Sequence, residues 1–378
     1  MKYDRKKIGF IGGGLNSAIG ETHKIASQMD GKFELSSGCF SRNRDINLKT
    51  AQRWGVERFY TDYKTFLEAE KDLLDAVVVL TPTNAHTQII LEALELGIPV
   101  ISEKTLTASV ADALKIRRKL EERGGFLLTT YNYTGYPMVR ELRQMIADGR
   151  LGKVVQINIR MPQESFIRLE KDGSVPKPQN WRLKDYGIST LSLDLGTHLS
   201  NMVSFLTGAR PEEAVAMQNR FGHYDVVDNM VGLVRYSGGI DCHMWYSKSA
   251  LGHKNGLKVE VYGTEGAAEW YQMNPEFLAY SDNVGRNIIL DRSSKEVTVA
   301  EAARYNRFKS GHPAGFIEAF ANHYDDIHDS LSAYGSGGAY DENIYVFGIG
   351  DSLSGLRLME TMERSVRSGK WEAVDAQD

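Results

Sequence analysis

Three consecutive glycines, Gly12, Gly13 and Gly14, end a short apolar run in the segment K-I-G-F-I-G-G-G-L-N-S-A-I-G at residues 7–20. The run Ile8, Phe10, Ile11 is short enough for a buried strand, and Ala18, Ile25, Ala26 and Met29 follow at helical spacing. A strand, a glycine turn and a helix in that order form a phosphate cradle. Glycine lets the backbone approach a pyrophosphate closely, and the start of a helix offers N–H groups and a partial positive charge. Gly12 and Gly14 fill the first two positions of a G-x-G-x-x-G pattern, while Ser17 stands at the third. Ala18 beside it is expected to provide the close helix–strand packing that a third glycine usually allows. The turn residues Gly12, Gly14, Leu15, Asn16 and Ser17 are therefore the expected dinucleotide-binding segment.

Strand and helix then alternate to residue 130. Strands are expected at 33–40, 75–80, 99–102 and 126–130, and helices at 43–54, 62–70 (capped by Thr61), 85–96 and 109–123. The run D-A-V-V-V-L at 75–80 is continuously apolar, as strands buried on both faces of a parallel sheet are. Such alternation implies right-handed βαβ units and a doubly wound α/β Rossmann domain over residues 1–134. The pattern changes after Thr134. A helix at 136–148, with Pro137 in its first turn, precedes strands at 153–161, 213–217, 230–236, 240–246, 257–262 and 267–272. Gly238 and Gly239 read as a hairpin turn, and one helix at 194–206 interrupts the series. Residues 135–378 are expected to form an α+β domain with a large open, mostly antiparallel sheet, completed by helices at 315–330 and 345–368. The polar, proline-bearing segment 163–187 reads as a lid or binding loop.

A net charge of -4 argues against nucleic acid as a partner. The two cysteines, Cys39 and Cys242, each fall in an expected strand, which argues against a disulfide framework or thiolate metal site and for a reducing compartment. No apolar stretch approaches the roughly 20 residues of a membrane span. The opening M-K-Y-D-R-K-K lacks the apolar region of a signal peptide. A cytoplasmic protein with no membrane partner is the expectation.

The tip of the second strand bears on the choice of dinucleotide. An acidic residue there would bind the ribose hydroxyls of NAD. The sequence reads C-F-S-R-N-R-D, with Ser41 and Arg42 at the tip and no carboxylate. Arg42 suits a 2′-phosphate, which leans towards NADP. If Arg42 only stacks on adenine or faces solvent, NAD is held through Ser41.

Hydride transfer at an alcohol carbon needs a group that exchanges the hydroxyl proton and a donor that steadies the oxygen. Three places supply candidates. Glu103 and Lys104 lie at the carboxyl end of the strand 99–102, the edge where open α/β sheets bind ligands. Asp194 and His198 are four apart, which one α-helical turn puts on one face, and Gly196 between them suggests a close approach. The turn T-P-T-N-A-H places Thr81, Pro82 and Asn84 near the cofactor, with His86 opening the next helix as a cofactor-side or capping residue. Asn132 and Tyr133, after the strand 126–130, are expected to line the same region. His323, Asp326 and His328 read as decoration of a solvated helix, and no histidine set has metal-ligand spacing.

The motifs G-F-I-G-G-G, T-P-T-N-A-H, E-K-T at 103–105, D-L-G-T-H at 194–198 and G-T-E-G at 263–266 together resemble the Gfo/Idh/MocA family, the oxidoreductases related to glucose–fructose oxidoreductase and inositol dehydrogenase. Y-N-Y-T-G-Y-P from Tyr131, N-W-R at 180–182 and the segment from Gly311 resemble its levoglucosan dehydrogenase-like subgroup. The resemblance implies that Lys104 lies by the nicotinamide and the reacting oxygen, that His198 exchanges the proton, and that Asp194 holds substrate hydroxyls or orients the histidine. Tyr133 and Arg182 would position the substrate, and the open sheet would pack against another subunit, giving a homodimer or homotetramer. Thr105 replaces the usual proline after Lys104 and is expected to loosen its backbone. The expected activity is NAD(P)-dependent oxidation at a secondary hydroxyl of a sugar, cyclitol or nucleotide-linked sugar. A glycosidase working through transient oxidation, and a dinucleotide-binding sensor without turnover, are the rival readings. The basic residues Arg160, Arg168, Lys171, Lys177, Arg182 and Lys184 in and beside the loop 163–187 would suit a substrate phosphate or simply face water.

Overall fold

The opening apolar run is a strand, β1 (Lys6–Gly12), in a computed structural model that describes residues 4–375. With β2 (Phe33–Cys39), β3 (Arg58–Phe59), β4 (Ala76–Leu80), β5 (Val100–Glu103) and β6 (Leu127–Thr130) it forms a parallel six-stranded sheet in the order β3-β2-β1-β4-β5-β6. The chain steps outward from β1 on one side and from β4 on the other, so the topological switch point lies between these two strands. Helices α1 (Gly20–Gln28), α2 (Arg44–Trp54), α3 (Tyr63–Glu70), α4 (Thr83–Glu95) and α5 (Val110–Arg123) make the crossovers. Their ends carry local stop signals. Asn43 accepts from Asp45 N and Ile46 N at the start of α2, Ser109 accepts from Asp112 N at the start of α5, and both helices close on a left-handed glycine, Gly55 and Gly124. At α3 the cap is Asp62, whose carboxylate accepts from Thr65 N at 2.9 Å, and not Thr61. All five residues of β4 are buried, as a central strand covered on both faces requires.

The second sheet has nine strands: β7 (Val154–Pro162), β8 (Pro211–Asn219), β9 (Asn229–Tyr236), β10 (Ile240–Ser247), β11 (Lys258–Gly263), β12 (Gly266–Tyr271), β13 (Leu278–Asp282), β14 (Asn287–Leu290) and β15 (Glu372–Ala373). Their order is β14-β13-β12-β11-β7-β10-β9-β8-β15, and only β7 and β10 pair in parallel. One face packs on α6 (Pro137–Ala147) and α7 (Thr197–Thr207). Alternate residues such as Met230, Val234, Tyr236, Cys242, Met244 and Tyr246 point into that core. The other face, the one expected to meet another subunit, leaves Met217, Val231 and Leu233 exposed. Strands β3, β13, β14 and β15 were not anticipated; β3 and β15, of two residues each, are too short to display a period of two.

Two long helices follow, α8 (Phe316–Gly335) and α9 (Ile349–Ser368). The chain separates into two compact units. The described residues through Gly135 belong with Phe316–Leu353, and Tyr136–Gly315 with the residues from Ser354 on. This corrects the expectation that everything after residue 134 forms one domain. The cause is apolar: Phe320, Tyr324, Ile327 and Leu331 of α8 pack on Ile8, Phe10, Phe33 and Leu35 of the first sheet. The opposite face of that sheet is covered by Ile89, Ile90, Ala93 and Leu94 of α4 and Ile116 and Leu120 of α5. His323, Asp326 and His328 are also buried, contrary to the solvated-helix reading. Here α8 is enclosed on a second side by the 3₁₀ turn Asn132–Gly135, where Asn322 Nδ2 donates to Gly135 O at 2.8 Å. Tyr131 N donates to His323 Nε2, and His328 Nε2 meets Asp4 O at 2.9 Å. Among the described residues no helix is long and apolar enough to cross a membrane.

Candidate functional site

The glycine turn adopts a backbone that only glycine takes easily. Gly12 and Gly13 have φ of 87° and 75°. A Cβ on Gly14 would stand 2.9 Å from Phe40 O, and one on Gly20 only 1.7 Å from Gly13 O. Thus α1 begins at Gly20, and Gly20, not Ala18, makes the close helix–strand contact. Ala18 is exposed, as are Leu15 and Asn16. Between them the loop is pinned by Ser17 N to Gly14 O at 2.7 Å and by Leu15 N to Thr50 Oγ1 at 3.1 Å. Beyond β2, Phe40 N and Ser41 N donate to Asn47 Oδ1, which holds the strand tip and leaves Arg42 exposed beside it.

The ends of β4, β5 and β6 lie along the same carboxyl edge of the sheet. Thr81 Oγ1 and Asn132 Nδ2 are buried there without a hydrogen-bond partner among the described residues. A buried polar atom left so costs roughly 1–3 kcal/mol, and a polar ligand lying in the turn would supply the partner. The left-handed turn and these two atoms fit a dinucleotide. Pro82 and Asn84, at the start of α4, are exposed. His86 is buried: Nε2 meets Thr81 O at 2.6 Å, and Nδ1 meets Thr105 O at 3.1 Å and Leu106 O at 3.2 Å. It ties the turn after β4 to the turn after β5, and burial holds its pKa below the ordinary histidine value. Thr105 is buried and its carbonyl is engaged by His86, so the backbone after Lys104 is tied down; the Lys104–Thr105 peptide is cis.

Glu103 is buried and belongs to a chain of hydrogen bonds. Thr130 Oγ1 donates to its Oε1 at 2.6 Å, and His23 Nε2 lies 3.1 Å from the same oxygen. His23 Nδ1 lies 2.7 Å from Tyr324 OH. Burial alone would raise the Glu103 carboxyl, but the bond to His23, the charges of His23 and Lys104 and the Thr130 hydroxyl hold it below the ordinary carboxylate value. Lys104 follows it, half-buried, and Tyr133 lies buried in the 3₁₀ turn with its ring 6.2 Å from that of Phe316.

In the second unit Asp194 sits in a π-helical turn, Ser192–Gly196, that runs directly into α7. The α-helical i,i+4 spacing expected for Asp194 and His198 therefore does not hold at its first residue; π turns of this kind recur at functional sites. Gly196 is required for packing, since a Cβ there would lie 2.5 Å from Met359 Sδ and 2.9 Å from Tyr246 Cζ. Asp194 Oδ2 accepts from Arg182 Nη1 at 2.5 Å and from Lys248 Nζ at 2.6 Å. Arg182 lies over the Trp181 ring at 4.3 Å, and Lys248 lies 5.0 Å from the Phe166 ring centre with its side chain 3% exposed. Two charge-assisted bonds fix the carboxylate. His198, in the first turn of α7, is buried.

Lys248 was missed by the sequence reading, although a signal was there. The inward residues Ile240, Cys242, Met244 and Tyr246 of β10 set a period of two, and its next step is Lys248. The segment 163–187 has little regular structure but is fastened. Phe166 N donates to Lys248 O, Asp185 accepts from Thr190 N and Val227 N, and Tyr224 OH donates to Pro176 O. Arg160, Arg168, Lys171, Lys177 and Lys184 are exposed, with Arg168 bonded to Glu164. So Arg182 is the one basic residue of that group drawn to Asp194.

Residues 6–131 match the model of the "Oxidoreductase family, NAD-binding Rossmann fold", and residues 139–269 match the "GFO/IDH/MocA C-terminal domain". The chain is 32% identical to an oxidoreductase of known structure from Sinorhizobium meliloti, with 97% of this chain and 99% of that one covered and a TM-score of 0.84. It is 26% identical to an inositol dehydrogenase homologue complexed with NAD+ from Azotobacter vinelandii, covering 98% of both chains with a TM-score of 0.90. Levoglucosan dehydrogenase from Pseudarthrobacter phenanthrenivorans is 22% identical over 366 residues, 88% of this chain and 90% of that protein.

Proposed function

Because the chain belongs to the GFO/IDH/MocA family of NAD-binding oxidoreductases, we propose that it oxidises, or reduces at, a secondary hydroxyl carbon of a sugar or cyclitol. A bound nicotinamide supplies the hydride acceptor or donor. The glycine turn receives the pyrophosphate, and Thr81 and Asn132 give their buried polar atoms to the same ligand. Lys104 donates to the substrate oxygen as charge develops on it. His198 takes or returns the hydroxyl proton. Asp194 accepts from a neighbouring substrate hydroxyl, with Tyr133, of the same unit as Lys104, as a further contact. Arg182 and Lys248 hold Asp194 in place. The observation that most supports this reading is the turn itself: left-handed Gly12 and Gly13 beside two orphaned buried polar atoms at the strand ends.

The test is a titration of nucleotide-stripped protein with NADH and NADPH, read by energy transfer from tryptophan, followed by a screen of sugars and cyclitols with the nucleotide that binds. Binding of neither would refute the reading. We further assign a preference for NADP to Arg42, which stands exposed beside Ser41 where an NAD-specific chain would carry a carboxylate. Arg42→Ala is expected to weaken NADPH by about 10- to 100-fold, the worth of a charged hydrogen-bonded contact, and to leave NADH alone. Equal NADPH affinity in the variant would end that preference.

Lys248 carries a separate expectation. In Lys248→Met, Asp194 loses the ammonium that donates to its Oδ2. The loss of kcat/KM is expected to be about 10- to 100-fold on the active substrate, with nucleotide affinity unchanged. A variant as active as the wild type would show that Lys248 is not needed to hold Asp194.

A further inference from the structure

The chain Tyr324–His23–Glu103–Thr130 is buried and spans four elements of the first unit: α8, α1, β5 and β6. It does not belong to the turn that receives the nucleotide, nor to the groups that exchange protons. Its donors and acceptors nonetheless close without a gap. Tyr324 OH meets His23 Nδ1, His23 Nε2–H donates to Glu103 Oε1, and Thr130 O–H donates to the same carboxylate oxygen. Both side chains at its centre are hidden, His23 at 0% and Glu103 at 8% exposure. Such a network specifies a unique arrangement because no member can turn without stranding another. It joins two parts that the proposed reaction needs in register. His23 stands on α1, whose first residue, Gly20, lies against the glycine turn. Glu103 is the residue before Lys104, and the charge of Lys104 is one of the causes that keep Glu103 low.

We propose that His23 and Glu103 are positioning residues for Lys104, tying the lysine's strand end to the helix behind the glycine turn and placing a fixed negative charge next to the ammonium. This rests on the dehydrogenase reading above. The turn is set by the Gly13–Gly20 contact, so disturbing the network is expected to act on Lys104 and not on the cradle.

Glu103→Gln keeps the acceptor for His23 and Thr130 and removes only the charge. His23→Leu removes the tether. In both, kcat is expected to fall about 10-fold or more, while the NADH dissociation constant and the substrate KM stay within about threefold, a split that a generally loosened fold would not give. A second readout is independent of turnover: the rate of reductive methylation of Lys104, followed by peptide mass spectrometry, is expected to rise at least about threefold in Glu103→Gln and to stay near wild type in His23→Leu, which keeps the carboxylate. Loss of the neighbouring negative charge favours the neutral, reactive amine. If His23→Leu fails to fold, Glu103→Gln alone decides. The inference is overturned if Glu103→Gln keeps kcat and the methylation rate within about twofold of wild type, or if kcat, KM and NADH affinity deteriorate together. Lys104→Met separates the two levels. An active wild type and a dead Lys104→Met with an unaffected Glu103→Gln would sink only this inference. A wild type that binds no nucleotide would sink the dehydrogenase reading and this inference with it.

Discussion

His198→Ala is expected to lose about 10²- to 10⁴-fold in kcat, the usual contribution of a positioned acid–base group. Nucleotide affinity should be unchanged, because the ring sits on α7 and not on the nucleotide-binding sheet. The size of the effect follows from how rigidly the ring is carried. The turn before it is packed so closely that Gly196 has no room for a methyl group, and Ser192 Oγ is bonded to Tyr246 OH at 2.9 Å behind it. A histidine held this way can present one nitrogen repeatedly to the same substrate position. Steady-state kinetics beside an NADH titration checks the claim. A fully active variant would remove His198 from the reaction, and a variant that also loses NADH would point to a structural role.

Gly20→Ala should be the most damaging change of a single methyl group in the first unit. The added Cβ would lie 1.7 Å from Gly13 O, 2.5 Å from Gly13 C and 2.8 Å from Gly13 Cα. These are backbone atoms, so no side chain can swing away; either α1 or the turn must move. Overpacking of this kind costs about 1–3 kcal/mol and occasionally more, and the upper end is expected here. Displacing the turn should weaken NADH and NADPH alike, by about 100-fold or more, since the pyrophosphate is common to both. Ala18→Gly is the control: Ala18 is exposed and the change should leave both affinities nearly intact. Wild-type affinity in Gly20→Ala would mean that the turn is not the cradle.

Features set by near neighbours were legible before the structure. The buried run of β4 and the glycine turn are local, and so were read from a few residues each. What depended on distant partners was not. The apolar positions of α8 show that it buries a face, but nothing in them says that the face is Phe10 and Phe33, some 300 residues earlier. The burial of His323 and His328 followed from that same unseen contact. The third glycine was sought at Ser17 because the pattern assumes a fixed loop length, whereas this loop is longer and closes at Gly20. The π-helical turn at Asp194 has no distinctive residue pattern, so the α-helical spacing was assumed. Lys248 passed as an ordinary polar strand end because a buried lysine is rare without a partner, and its partner lies 54 residues back.

The discontinuity of the first unit has a consequence for how the protein is made. The sheet face lined by Ile8, Phe10, Phe33 and Leu35 is covered by α1, α2 and α8 together, and α8 leaves the ribosome after about 180 further residues, 136–315, have been added. At ~5–20 residues per second that is roughly 10–40 s of synthesis. During that interval the nascent chain carries a nearly complete parallel sheet with the part of one apolar side that α8 will cover left open, a surface that chaperones bind and that neighbouring nascent chains can stick to.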